Sequence, residues 1–148
     1  MTEIQIRQRF ALPPERAWES LVAFDRYPEW IESYEAVEFV GTQHEGVGTR
    51  WRQTRTVFGR SHSQVMEVTS WEGPRSFALV AEESGARYET RYELAPVEGG
   101  TEVVMTFSVT GTNPLSRVFV RTIGRRLLRG TGEAMARDLE DLAAVAGG

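Results

Sequence analysis

Arg55, His62 and Glu83 bring three complementary chemistries close to turn residues in the middle of the chain. Histidine titrates near neutrality and can move protons, whereas arginine stays charged and suits stabilisation of an enolate or other developing anion. Tyr88 adds a phenol able to donate a hydrogen bond to a carbonyl. Arg55, His62 and Tyr88 are therefore the candidate catalytic residues if the protein is an enzyme. The same charged residues also fit a solvated cluster at hairpin tips, where charge protects strand edges. Gln53, Gln64 and Thr90 could orient a ligand carbonyl or hydroxyl, or bond to one another and to cavity water.

Other chemistries are excluded. Among 148 residues there is no cysteine, so disulfides, thiolate metal sites and a cysteine nucleophile are absent. The two histidines, His44 and His62, form no ligand pattern, and neither a metal nor a cofactor is expected. All 17 basic residues are arginine, which removes lysine Schiff-base chemistry. A net charge of -4 argues against nucleic acid as the main partner. The start, MTEIQIRQRF, lacks an apolar signal region, and no run approaches the ~18 apolar residues of a membrane span. A cytoplasmic protein without integral membrane association is the expectation.

The elements that must position these side chains follow from periodicity. Glu3 to Leu12 alternates, with Ile4, Ile6, Phe10 and Leu12 on one side, as a half-buried strand does. Pro13-Pro14-Glu15 opens a helix with Ala17, Trp18, Leu21 and Val22 as its apolar stripe. Asp25 is placed to cap a second short helix carrying Tyr27, Trp30 and Ile31. Trp30 and Tyr34 are read either as a lid or, for Trp30, as an anchor of that helix. From about Glu35 to Gly111, turn residues divide the chain into six more strands. Asn113-Pro114 starts a long amphipathic helix marked by Leu115, Phe119, Ile123, Leu127, Met135, Leu139 and Leu142, which Gly130 and Gly132 are expected to kink or split. The expectation is one α+β domain over residues 1–148. A seven-stranded curved antiparallel sheet wraps a long C-terminal helix, with two short helices between strands 1 and 2.

Turn lengths suggest register. A two-residue turn at Phe58-Gly59 sets Arg55 opposite His62, Gln53 opposite Gln64 and Trp51 opposite Met66. A second at Ser84-Gly85 sets Ala81 opposite Tyr88, Leu79 opposite Thr90 and Phe77 opposite Tyr92. Aligning Met66 with Leu79, and Tyr92 with Met105, completes an inner face with Glu83 in the row of Arg55 and His62. The outer face then carries Arg50 with Glu67, Glu82 with Arg87 and Thr54 with Ser63, pairs suited to solvent. The inner face grades from apolar at Phe77, Met105 and Val68 to polar at the hairpin tips. It predicts a pocket that binds a mostly apolar molecule through Trp51, Gln53, Gln64, Met66, Leu79, Tyr88, Thr90, Phe107, Phe119 and Ile123.

Five segments in order resemble the superfamily of START domains, pollen-allergen-type carriers and polyketide cyclase/dehydrases. They are ALPPERAW at Ala11–Trp18, FDRYPEW at Phe24–Trp30, GVGTRWR at Gly46–Arg52, EVTSWEGPRSF at Glu67–Phe77 and GGTEVVMTF at Gly99–Phe107. The resemblance implies a helix-grip fold with a deep hydrophobic cavity under the last helix. It implies no single reaction, since members carry lipids and hormones, cyclise or dehydrate polyketides, or bind quinones. Aromatic cyclases of this type use an arginine with aromatic or hydroxyl groups in the cavity, roles open to Arg55 and Tyr88. Arg117, Arg121, Arg125, Arg126 and Arg129 leave the first half of the last helix without an acid. Arg117, Arg121 and Arg125 share one face, which suits an acidic carrier protein, a phosphopantetheine arm, an anionic membrane surface or plain solvation.

Overall fold

The computed structural model describes residues 2–57 and 59–147; positions 2, 57, 123–129, 146 and 147 are described by backbone alone. Seven strands form one antiparallel sheet. They are β1 (Thr2–Phe10), β2 (Tyr34–Phe39), β3 (Arg50–Val57), β4 (Arg60–Glu72), β5 (Ser76–Glu83), β6 (Ala86–Val97) and β7 (Gly100–Gly111). Their order across the sheet is β1-β7-β6-β5-β4-β3-β2. Between β1 and β2 lie α1 (Pro14–Leu21), a 3-10 turn (Phe24–Arg26) and α2 (Tyr27–Trp30). A single helix, α3 (Pro114–Gly147), ends the chain and packs along β1 and β7.

Local chemistry accounts for these elements. Pro14 occupies the first turn of α1, where the missing N–H costs nothing, and Ala17 and Leu21 are buried beneath it. Trp18 meets Trp71 and Phe77 edge-on, at 5.1 and 5.3 Å between ring centroids. Phe24 stacks on Trp51 at 4.1 Å and closes the far end of the core. Asp25 makes no capping bond; it lies inside the 3-10 turn, which leads directly into α2. The Asn113 side chain does cap α3, its Oδ1 accepting from Ser116 N at 2.8 Å. The split that Gly130 and Gly132 suggested does not occur: α3 is one continuous helix, with Gly132 facing Ile4 of β1.

The two hairpin registers match the sequence expectation: Arg55 pairs with His62, Trp51 with Met66, Leu79 with Thr90 and Phe77 with Tyr92. Ser84 and Gly85 both take positive φ, as a twisted two-residue hairpin turn requires. Phe58 lies outside the described residues. Tyr92 also pairs with Met105. The β4–β5 register differs. Val68, not Met66, pairs with Leu79, because the three-residue turn after Glu72 and a bulge between Val68 and Ser70 set the pairing. Up to Val68 the shift is two residues, so the side chains there keep their face; beyond the bulge Trp71 pairs with Phe77 and packs toward the core. Glu83 therefore falls level with Gln64 and diagonal to His62. On the outer face Arg50–Glu67 (3.4 Å), Glu82–Arg87 (3.0 Å) and Thr54–Ser63 (2.9 Å) pair as expected.

Candidate functional site: a cavity beneath the last helix

The sheet curls around α3 but does not close on it. A cavity of about 790 Å³ remains between them. Met66, Leu79, Thr90 and Phe107 form part of its sheet wall, on β4, β5, β6 and β7. Val120, Met135, Leu139 and Leu142 face them from α3. The wall is mostly apolar, as alternation along the inner strand faces dictates.

At the end nearest α2 the wall becomes polar. Arg55 directs Nη2 to Asp138 Oδ2 and, at 2.8 Å, to Ser33 Oγ. Ser33 Oγ in turn donates to Asp138 Oδ1 at 2.8 Å. The guanidinium lies over the Tyr34 ring, 4.4 Å from its centroid. Arg55 and Asp138 side chains are 17% and 14% exposed, so this is a mostly buried ion pair. Burial raises the Asp138 carboxyl pKa, against the opposing pull of Arg55 and of the Ser33 hydrogen bond. Burial pulls the Arg55 pKa down, but Tyr34 and Asp138 outweigh it and leave arginine fully charged. Tyr27, Tyr34 and Tyr92 surround the pair, and burial raises all three phenol pKa values. Arg55 Nε is buried with no hydrogen-bond partner among the described residues.

The mouth lies beside this cluster, since His62 pairs with Arg55 across β3 and β4. His62 Nε2 lies 3.0 Å from Glu83 Oε2, and Gln64 Nε2 donates to the same oxygen at 3.3 Å. Tyr88 stacks near Phe107 at 6.0 Å, its phenol pKa raised by partial burial and then by Glu83. Leu115 and Phe119 of α3 complete the rim and are largely exposed. The helix start is held there by close approach: a Cβ on Gly111 would lie 2.4 Å from Arg117 N.

Residues 1–147 match the sequence profile of polyketide cyclase/dehydrase and lipid transport proteins. The chain belongs to this family. No curated protein matches it. Among solved structures, TTHA0849 from Thermus thermophilus is 22% identical, with TM-score 0.78 over 98% of this chain and 97% of its own. The Zhui aromatase/cyclase from a Streptomyces species is 18% identical, with TM-score 0.75 over 98% and 93%. A START superfamily protein from Mycobacterium smegmatis is 14% identical, with TM-score 0.68 over 95% and 98%. These likenesses establish the helix-grip fold.

Within this polyketide cyclase/dehydrase family member the expected residues divide. Gln53, Gln64, Met66, Leu79, Tyr88, Thr90, Phe107 and Phe119 all border the cavity. Trp51 does not: it is 1% exposed, stacked on Phe24, and gives its indole N–H to Gln53 Oε1 at 3.1 Å. Phe119 sits at the rim and does not pack against the sheet; Val120, one residue on, is the buried one. The Ile123 side chain lies outside the described residues. Arg55, His62 and Glu83 all border the cavity, but their side chains part: Arg55, although paired with His62 across β3 and β4, turns to Asp138, while His62 and Glu83 pair at the rim. Trp30 is no lid; Arg26 lies over its ring and it packs against the core, whereas Tyr34 does border the cavity. Sequence reading missed Asp138, Ser33 and Tyr92. Asp138 was signalled by its position on the inward stripe of α3, between Met135 and Leu142. Among the described residues no group of acids and histidines could hold a metal, and no helix is long and apolar enough to cross a membrane.

Proposed function

We propose that this protein binds an apolar small molecule of lipid or polyketide type in the cavity under α3, as a single cytoplasmic domain. One observation carries the reading: a mostly apolar space of about 790 Å³ whose charged lining side chains, among the described residues, are Arg55, His62, Glu83 and Asp138. That size falls in the roughly 300–1,000 Å³ range of small-molecule sites, and the lining suits an apolar ligand that carries a few oxygen atoms. Gln64, Tyr88, Thr90 and the open donor Arg55 Nε would orient those atoms. Native mass spectrometry of the purified protein tests this; a retained apolar compound is expected, and failure to retain or take up any apolar compound would count against it.

A second reading is an aromatase/cyclase or dehydratase acting on a polyketide-like substrate. The His62–Glu83 pair beside Tyr88 favours it, since an imidazole held by a carboxylate is arranged for acid–base work. Such an enzyme would receive its substrate from an acidic carrier protein at Arg117 and Arg121; the Arg125 side chain lies outside the described residues. Turnover decides between the readings. If chemistry occurs at the rim, His62→Ala should slow it roughly 100-fold or more, the usual effect of losing a proton-transfer group.

A further inference from the structure

Among the described side chains of α3, the most exposed large apolar ones gather at the cavity mouth. Leu115 is 82% exposed, Val118 61% and Phe119 54%. At 100° per residue these three span about 100° of the helix circumference. Leu115 and Phe119 border the mouth, and Val118 carries the apolar surface away from it. Arg117 and Arg121 follow next around the helix, both exposed. Arg117 uses Nε on Gly111 O at 3.4 Å, which leaves the rest of its guanidinium outward. No acid occurs between Pro114 and Gly132, although the chain as a whole carries -4. Positive charge is thus concentrated beside exposed apolar surface at the mouth of a mostly apolar cavity.

From this juxtaposition we infer that the start of α3 docks on an anionic lipid surface, with the cavity mouth facing the bilayer. The apolar arc enters the headgroup–acyl boundary, and the two arginines contact lipid phosphates and carboxylates. The packing of α3 against Gly111 fixes this face in place, so docking requires no unfolding. An apolar molecule then passes between bilayer and cavity without crossing water. The charge pattern alone would also suit an acidic protein. What favours a lipid surface is that the exposed apolar side chains rim the mouth itself, where a soluble partner would obstruct passage. The inference rests on the cavity being a binding site only for its purpose; docking itself is measured separately.

The test is co-sedimentation of the full chain with vesicles of equal parts phosphatidylcholine and phosphatidylserine, against vesicles of phosphatidylcholine alone. Binding to the anionic vesicles is expected, lost at about 1 M salt, where charges are screened beyond about 3 Å. Arg117→Gln with Arg121→Gln should weaken it about thirty-fold, from about five-fold per arginine near an anionic surface. Val118→Asp, at a position that does not border the cavity, should weaken it independently. Equal binding to both vesicle types, no binding to either, or unchanged binding by both folded variants would overturn the inference. So would salt-sensitive capture of a purified acidic carrier protein by this face with no vesicle binding. A retained ligand without vesicle binding removes the docking and leaves the cavity reading standing. Vesicle binding with an empty, non-binding cavity does the reverse.

Discussion

Arg55 faces Asp138 and Ser33, and its chemistry follows from that choice. A guanidinium held by a carboxylate on α3 is a tether between β3 and the helix before it is anything else. Removing one partner leaves a mostly buried charge without compensation, so Asp138→Ala should destabilise the protein by roughly 3 kcal/mol in urea unfolding. Arg55→Met with Asp138→Leu removes both charges, and the double variant should lie closer to wild type than either single change. A strictly additive double variant would show that the pair is not coupled. The neighbouring phenols give a second handle. Tyr27, Tyr34 and Tyr92 have folded pKa values above the ordinary 10.0, chiefly through burial. Their contribution to stability is therefore complete below about pH 10 and is lost as pH rises through the raised folded values. Phenolate absorbance near 295 nm should lag an ordinary tyrosine and grow together with loss of far-ultraviolet circular dichroism. Ionisation of these three near pH 10 in a folded protein would contradict their burial. Arg55 was visible in the sequence as a charge on an inner strand face, and Asp138 as an acid on the inward stripe of α3, but their pairing was not. Asp138 lies 83 residues away, and only the packed helix brings the two together.

Elements set where these side chains meet. The hairpin pairings could be read from two-residue turns because side-chain alternation and turn geometry together leave little freedom. The β4–β5 register escaped that argument because a bulge near Thr69 adds a residue that no alternation pattern reveals. The consequence reached the site: Glu83 moved level with Gln64, and its carboxylate meets both Gln64 and His62. The start of α3 is a second such determinant. Gly111 is in contact with the backbone of Ser116 and Arg117, and an added methyl would lie 2.4–2.5 Å from backbone atoms that cannot swing aside. Gly111→Ala should thus cost about 1–3 kcal/mol, the range of overpacking in a close-fitted site. Asn113→Ala removes only the cap and should cost about 1 kcal/mol. Thermal melts of the two variants rank these effects. An alanine at 111 tolerated better than one at 113 would mean that the helix start is not seated on β7 as described.

At the scale of the whole molecule, the unfilled space is the feature that needs explaining. A sheet of seven strands with one covering helix could close on a packed core, as its far end does around Phe24, Trp51 and Phe77. Near α3 it instead keeps about 790 Å³ free of side chains. Apolar wall atoms facing such a space lack packing partners, and a molecule that supplies them stabilises the folded state by mass action. At one hundred times its dissociation constant a ligand adds about 2.7 kcal/mol, which for a domain of this size raises the melting temperature by about 5–10 °C. Leu79 lies in the middle of the sheet wall, buried and on the inner face. Leu79→Arg places a charge against that apolar space and should abolish the ligand-induced shift, while the Arg55–Asp138 tether and the aromatic core remain intact. Differential scanning calorimetry with the compound recovered by native mass spectrometry makes the comparison. A folded Leu79→Arg protein that still gains the full shift would place the ligand outside this cavity.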